Sequence, residues 1–273
     1  MKKLLNENKI EFFSCIPLSK CKIYKKYLLE RASLTEDASV IIMLIPYRSK
    51  IIPKNISVYA SVKDYHKFTD ELRTRVKTFF EKEYPYAKVE LFADHSPIDE
   101  VHAACISGLG FIGDNGLLIN EKYSSFVFLC EIITDLKPEA FGMEYAKEAE
   151  LKRCYGCGAC HSACPSNCMD ESDPRPKSEC LSAITQKKGE LNEKEIKMML
   201  DNGSIWGCDV CQNVCPYTKN AEYTPIDFFN EDVIDEITTD KIDMMSDDEL
   251  FTRPFSWRGR DIIRRNTEIY KNR

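Results

Sequence analysis

The segment CYGCGACHSACP places Cys154, Cys157, Cys160 and Cys164 at the spacing Cys-x2-Cys-x2-Cys-x3-Cys-Pro. This is the spacing of a bacterial two-cluster ferredoxin, in which three thiolates hold one cubane and the fourth ligates the other. A second motif, CDVCQNVCP, supplies Cys208, Cys211 and Cys215 and again ends in Cys-Pro. Together they give seven thiolates, and two [4Fe–4S] clusters need eight. The remaining cysteines of the segment are Cys168 and Cys180. Cys168 follows Cys164 so closely that it would crowd a turn, whereas Cys180 opens CLSAITQKKG at an expected helix start and is the better candidate. A crossed arrangement then assigns Cys154, Cys157, Cys160 and Cys215 to one cluster, and Cys164, Cys180, Cys208 and Cys211 to the other. Cys-x2-Cys knuckles also bind structural zinc, but two endings in x3-Cys-Pro favour clusters. His161, inside the first motif, is expected to shield a cluster or hydrogen-bond a sulfur.

The elements that must position these groups fall on either side of residue 150. Before it, strand-like and helical stretches alternate. ASVIIMLIP (38–46) is a short β-branched run that reads as a buried strand. Over 61–83, Val62, Tyr65, Phe68, Leu72, Val76, Phe79 and Phe80 recur at helical period. AKVELFA (87–93) and SSFVFLCEII (124–133) read as strands, and PIDEVHAACIS reads as a helix. The pattern implies an α+β or α/β domain over 1–150, then a ferredoxin-like domain over 151–220 that its clusters hold together. Residues 221–273 read as an acidic linker and a basic C-terminal helix. Within them, 222–250 carry eleven acids against one lysine, and 253–273 carry seven Arg or Lys against two acids.

With 273 residues the chain can bury a sizeable core, and its 43% hydrophobic and 30% charged content is that of an ordinary water-soluble protein. The net charge of −6 gives no global attraction to nucleic acid, so any such role must rest on a local basic surface. No apolar stretch follows MKKLLNENKIEFF, and VIIMLIP is too short to span a bilayer. The expectation is a cytoplasmic protein without a membrane partner, whose 13 cysteines serve metal or redox chemistry.

GLGFIGDN (108–115) has the G-x-G-x-x-G spacing of a dinucleotide fingerprint in Gly108, Gly110 and Gly113. That motif needs a strand before it and an acid about twenty residues on. A helix pattern precedes Gly108 instead, and Glu131 alone carries little weight, so a nucleotide site is not expected. Asp94, in ADHSPIDE, reads on its own as a cap for the helix starting near Pro97.

Several stretches together resemble epoxyqueuosine reductase, the iron–sulfur and cobalamin enzyme of queuosine biosynthesis in tRNA. They are DYHKF (64–68), ADHSPIDE (93–100), GLGFIGDNGLLI (108–119), SSFVFLCEI (124–132), the first cysteine motif, CLSAIT (180–185) and GCDVCQNVCP (207–216). The resemblance implies a cobalamin-binding N-terminal domain and an oxidoreductase activity in tRNA processing. It also implies that Cys180 is the eighth ligand and Asp94 the catalytic proton donor. An aspartate fills that role only if burial or a nearby negative charge raises its pKa. Cofactor contacts are implied at His66, Gly108, Leu109, Gly110, Gly113, Asn115 and Leu118, and a reduced ferredoxin- or flavodoxin-type protein as electron donor. No D-x-H-x-x-G signature of histidine-ligated cobalamin is present.

Three departures stand out. Asp114 replaces the family's usual lysine, Cys130 stands where glycine is usual, and the helical-repeat region that helps to grip tRNA has no counterpart before Arg273. These weaken the tRNA expectation. The basic tail (Arg253, Arg258, Arg260, Arg264, Arg265, Lys271, Arg273) offers phosphate contacts, which the preceding acidic run restricts. Two alternatives follow: a two-cluster electron-transfer protein without cobalamin, or a diverged cobalamin reductase with a non-RNA substrate, akin in logic to reductive dehalogenases.

Overall fold

The computed structural model describes residues 1–147, 149–169 and 178–271. To Thr134 the elements are helix α1 (Lys2–Glu7), strand β1 (Phe13–Pro17), α2 (Lys26–Arg31), β2 (Ser39–Pro46), α3 (Val58–Ser61), α4 (Tyr65–Glu83), β3 (Val89–Ala93), α5 (Glu100–Ile106), β4 (Phe111–Ile112), β5 (Leu118–Ile119) and β6 (Val127–Thr134). The chain forms two compact units. The first comprises Met1–Pro46, His66–Gly113 and Leu117–Cys154; the second comprises Tyr47–Tyr65, Asp114–Gly116 and Tyr155–Arg273. Residues 47–65 fold with the cysteine-rich segment, and the first unit ends at Cys154.

In the first unit a sheet of order β1-β2-β6-β3 is antiparallel throughout. Every residue of β2 is buried, as its unbroken apolar run requires, because the strand is central and covered on both faces. Val40, Ile42 and Leu44 share one face and pack with residues of α5, among them Ala103, Ala104, Cys105 and Ile106. The antiparallel pairing makes this unit α+β. Helix α4 buries Phe68, Leu72, Val76 and Phe80; Val62, expected on the same stripe, precedes the helix in extended conformation.

The second unit continues with α6 (Ala159–Ala163), α7 (Leu181–Thr185), α8 (Glu193–Asn202), α9 (Val210–Asn213), α10 (Thr239–Met244), α11 (Asp247–Phe251) and α12 (Arg260–Lys271). Its main core surrounds Trp206, with Ile56, Ile205, Ile237, Ile242, Leu250, Phe255 and Ile263. Ile56 bridges Trp206 as a parallel pair, and the Ser57 N–H donates to the Trp206 carbonyl at 2.8 Å. The C-terminal stretch is thus more than a linker, since α10, α11 and α12 each contribute to this core. Among the described residues no helix is long and apolar enough to cross a membrane.

Candidate functional site

The motif cysteines lie in the second unit, apart from Cys154, the last residue of the first. Gly156 and Gly158 take left-handed conformations (φ 68 and 72) that turn the chain into α6, which carries Cys160. Cys164 (φ −64, ψ 116) and Cys215 (φ −69, ψ 126) are both extended. A following proline disfavours helical geometry at the residue before it, so each Cys-Pro ending carries the chain out of its short helix. Cys180 sits at the N-cap of α7, and Cys211 lies within α9.

The thiols gather into two neighbourhoods. Cys164 Sγ is 3.9 Å from Cys168 Sγ, and Cys180 acts electrostatically on Cys168, Cys208 and Cys211. Tyr155, whose ring stands 5.7 Å from that of Tyr217, instead senses Cys157 and Cys215. Cys160 also acts on Cys211. Burial pushes the Cys208 thiol up to about 11, with Cys180, Asp209 and Cys164 adding to the shift. Burial likewise pushes Cys211 up to about 12, with Cys208 and Cys180 adding. Gathered thiolates repel one another, and a soft cationic centre removes that penalty; an all-thiolate set fits iron–sulfur ligation. Among the described residues no three His, Cys, Asp or Glu side chains stand close enough to share a single metal ion. A four-iron cluster takes its thiolates at outer corners, farther apart than the ligands of one ion.

Residues outside the motifs fix this frame. Asp209 is buried; its Oδ2 accepts the Val58 N–H at 2.5 Å and its Oδ1 accepts Gln212 Nε2 at 3.0 Å. Asn266, fully buried on α12, donates to the carbonyls of Thr185 (2.7 Å) and Ile205 (2.8 Å). It thereby ties the end of the CLSAIT helix to the residues before GCDVCQ. Asn266→Ala strands two buried carbonyls, and at about 1–3 kcal/mol for each unsatisfied group a loss of roughly 2–6 kcal/mol is expected. Denaturant midpoints of the apoprotein measure it. Sequence reading missed Asn266, since a single asparagine in a basic helix carries no motif.

The glycines of GLGFIGDN have internal reasons. Gly108 (φ 81) follows the α5 C-cap, and its N–H donates to Cys105 while that of Leu109 donates to Ala104. That pair of bonds is a Schellman ending. A Cβ on Gly110 would lie 2.4 Å from the Ile119 carbonyl oxygen, so the β4–β5 hairpin (Phe111 with Ile119, Ile112 with Leu118) needs glycine there. The Gly113 N–H closes the hairpin on Leu117 at 2.9 Å. Leu109 and Leu118 are core residues and Asn115 is buried, whereas His66 is exposed at the start of α4. In the second unit, Asp114 Oδ2 lies 3.8 Å from where Gly156 would carry a Cβ, beside the first cysteine motif.

Asp94 is exposed and held at φ 61, in the left-handed region. It does not cap α5: that role belongs to Asp99, whose Oδ1 accepts the His102 N–H at 3.0 Å. The loop from Asp94 to Asp99 is clamped by the segment leading into α2. Tyr24 and Lys25 donate backbone N–H to the Pro97 carbonyl, and the Asp99 N–H donates to Lys22. His95 lies 3.2 Å from Lys25 Nζ and 2.8 Å from the Tyr27 hydroxyl. Beneath the loop the Ser96 hydroxyl donates to Glu131, a fully buried residue of β6. Burial pushes the Glu100 carboxyl up to about 7, with Asp94 and Asp99 adding to the shift, and it pushes Glu131 well above the ordinary carboxylate range, with Glu100 adding.

The basic tail is largely paired with the acidic run before it. Arg260 meets Asp247 at 2.8 Å, Arg264 meets Asp243 at 2.7 Å, and Lys271 stands 3.8 Å from Asp240. Arg253 donates to the Asp232 carbonyl, and Arg265 to those of Lys187 and Gly189. Arg258 stacks 3.6 Å from the Trp257 ring centroid. Arg273 lies outside the described residues.

A sequence family described as a 4Fe-4S double cluster binding domain matches residues 153–218. An epoxyqueuosine reductase from Gloeobacter violaceus is 34% identical over 200 residues, covering 71% of this chain and 61% of the relative. One from Leadbetterella byssophila is 33% identical over 207 residues, covering 72% and 64%. One from Listeria monocytogenes is 27% identical over 289 residues, covering 98% and 72%. The chain therefore spans between about three fifths and seven tenths of these relatives' lengths. The fold matches the epoxyqueuosine reductase of Streptococcus thermophilus with a TM-score of 0.77 at 23% identity, over 98% of this chain and 79% of that one. An epoxyqueuosine reductase solved with an epoxyqueuosine-modified tRNA-Tyr stem loop matches at 0.75 and 21%, over 98% and 80%. In sequence and in fold the chain is a relative of the epoxyqueuosine reductases, and it carries a 4Fe–4S double cluster binding domain.

Proposed function

We propose that this chain is an iron–sulfur and cobalamin-dependent reductase that removes the epoxide oxygen of epoxyqueuosine in tRNA. The observation that carries this reading is the 34% identity to an epoxyqueuosine reductase over 200 residues. That span is three times the length of the matched cluster domain (153–218), so the likeness extends well beyond electron-transfer motifs. Removing an epoxide oxygen as water consumes two electrons and two protons and leaves an alkene. Two clusters held by the motif cysteines would supply electrons singly, drawn from a reduced ferredoxin- or flavodoxin-type donor. Asp94 supplies a proton to the leaving oxygen. Its exposure in the free chain leaves substrate to provide the burial that an acid role requires. A relative of this fold from Bacillus subtilis has been captured with its catalytic aspartate loop swung out of the active site, which supports reading the Asp94 loop as the one that meets substrate.

Cobalamin would supply the low-valent metal that reacts with carbon. In the first unit the open backbone at Gly108, with nothing within 4 Å of its Cβ position, and the partly exposed Ile112, Val127 and Leu129 suit a broad apolar macrocycle. Gly108, Gly110 and Gly113 would present backbone to it, with Leu109 and Leu118 supporting from beneath, and Asn115 and His66 as the polar contacts. Reconstitution with cobalamin, followed by analysis of tRNA from a deletion strain, tests the reading. Queuosine replaced by epoxyqueuosine supports it. Full queuosine in a strain without a second such enzyme, or failure to bind cobalamin, sinks it.

The eight ligands follow the crossed scheme. Cys164, Cys180, Cys208 and Cys211 hold one cluster, and Cys154, Cys157, Cys160 and Cys215 hold the other. The reach of Cys180 to Cys168, Cys208 and Cys211 favours it as the eighth ligand. Cys180→Ala is expected to lower iron from eight to four per chain, read by iron analysis and paramagnetic resonance. A full complement in that variant returns the role to Cys168.

A further inference from the structure

Glu131 is 0% exposed on β6, and Glu100 opens α5 at the far end of the Asp94 loop. Ser96 joins the loop to the sheet: its hydroxyl donates to Glu131 Oε1, and its oxygen accepts the Ile98 N–H at 3.1 Å. Two oxygens remain, Glu131 Oε2 and Glu100 Oε1, both buried and lacking a donor among the described residues. Each of these carboxyls acts on the other's charge. Ionised carboxylates only accept hydrogen bonds, so two buried carboxylate oxygens that no donor faces call for a proton on the pair.

We propose that Glu100 and Glu131 share a proton and, with Ser96, form the positioning pair that holds the Asp94 loop against the sheet. The proposal rests on the reading of Asp94 as proton donor. With the proton present, α5 and β6 are joined through the pair and the loop between β3 and α5 is anchored at both ends. Without it, two buried negative charges face each other and the anchor loosens. The surroundings oppose that loss. Asp94 and Asp99 disfavour ionisation of Glu100, whereas the Glu131 carboxyl and Lys25 favour it. The buried Cys130 thiol beside Glu131 is itself affected by Glu100 and by Arg73 of α4, while Cys21 faces Glu131 from the segment before α2.

A carboxyl whose affinity for protons rises on folding stabilises the fold at low pH, and that stabilisation is lost as pH rises through the folded-state value. For Glu100 the window runs from 4.5, its ordinary value, to about 7. Glu131 extends it upward. Across the window each retained proton makes the unfolding constant rise about tenfold per pH unit. In Glu131→Gln the amide still accepts from Ser96 and donates permanently to Glu100. That variant is expected to lose about tenfold per pH unit of this dependence, to lack the infrared band of a protonated carboxyl that the wild-type apoprotein is expected to show, and to keep the Ile98 amide protected from exchange. In the wild type, Ile98 exchange accelerates above pH 7 by more than the intrinsic rate does. Glu131→Ala loses protection at every pH. An unchanged pH slope in Glu131→Gln, or no protonated-carboxyl band in the wild type, overturns the proposal. None of these readouts requires turnover, so a failure of the Asp94 reading shows separately, as full activity in Asp94→Asn.

Discussion

Asp94→Asn is expected to leave eight irons per chain and an unchanged unfolding midpoint, while turnover falls by a factor of about 10²–10⁴, the usual contribution of a positioned acid. The substitution suits the question because it removes so little else. Asp94 is exposed, so no packing is lost. Its φ of 61 is a conformation that asparagine adopts at least as readily as aspartate, so the loop keeps its path. The α5 cap belongs to Asp99, so the helix keeps its first turn. What goes is a carboxyl proton. An amide of equal size donates hydrogen bonds but does not release a proton to a departing oxygen, and the epoxide oxygen would leave as a costly anion. Single-turnover conversion of epoxyqueuosine in a modified stem loop, measured beside iron content, separates the chemical role from the structural one. Wild-type conversion in the variant removes Asp94 from the reaction.

The legible parts of this chain are those where chemistry or geometry constrains local spacing. Cys-x2-Cys-x2-Cys-x3-Cys-Pro can be read directly, since three thiolates of one cluster come from one short turn and the proline carries the fourth out of it. SVIIMLIP can be read because a central strand covered on both faces favours a nearly unbroken apolar run. GLGFIGDN was decided by what precedes it: α5 ends at Gly108 in a Schellman bond pair, and no strand enters the turn. The illegible parts are pairings between distant residues. Ile56 bridges Trp206, and nothing in the composition of 47–65 marks that segment as belonging with the cysteines. Asp94 reads as the cap of α5 on paper, and only the backbone path gives that role to Asp99. Glu131, discounted as the acid of a dinucleotide motif, is instead the buried acceptor of the Ser96 hydroxyl. The charged C-terminus reads as separate acidic and basic blocks, but in the fold Arg260 and Arg264 are neutralised by Asp247 and Asp243.

Gly207→Ala is expected to cost roughly 2–5 kcal/mol, combining a left-handed alanine at about 1–2 kcal/mol with overpacking at about 1–3 kcal/mol, and to prevent cluster loading. Gly207 has φ 73, and a Cβ there would stand 2.0 Å from Ser57 Oγ, 2.6 Å from Ser57 Cβ and 2.9 Å from Tyr59 Cε1. Neither side is free to withdraw. The Ser57 N–H is bonded to Trp206 at 2.8 Å, and the Gly207 N–H to Thr185 Oγ1 at 2.9 Å. Moving Gly207 pulls on α7 and Cys180, and moving Ser57 pulls on the Trp206 core. Cys208 follows directly, so displacement reaches the cluster frame whichever way the strain is released. Ser57→Gly removes the two closest contacts and leaves the left-handed penalty with the Tyr59 contact. The double variant should therefore recover more than half of the lost stability, a coupling that a double-mutant cycle on denaturant midpoints measures. A fully loaded Gly207→Ala protein with an unchanged midpoint contradicts this account. So does an additive cycle, because the clash at Ser57 is what couples the two positions.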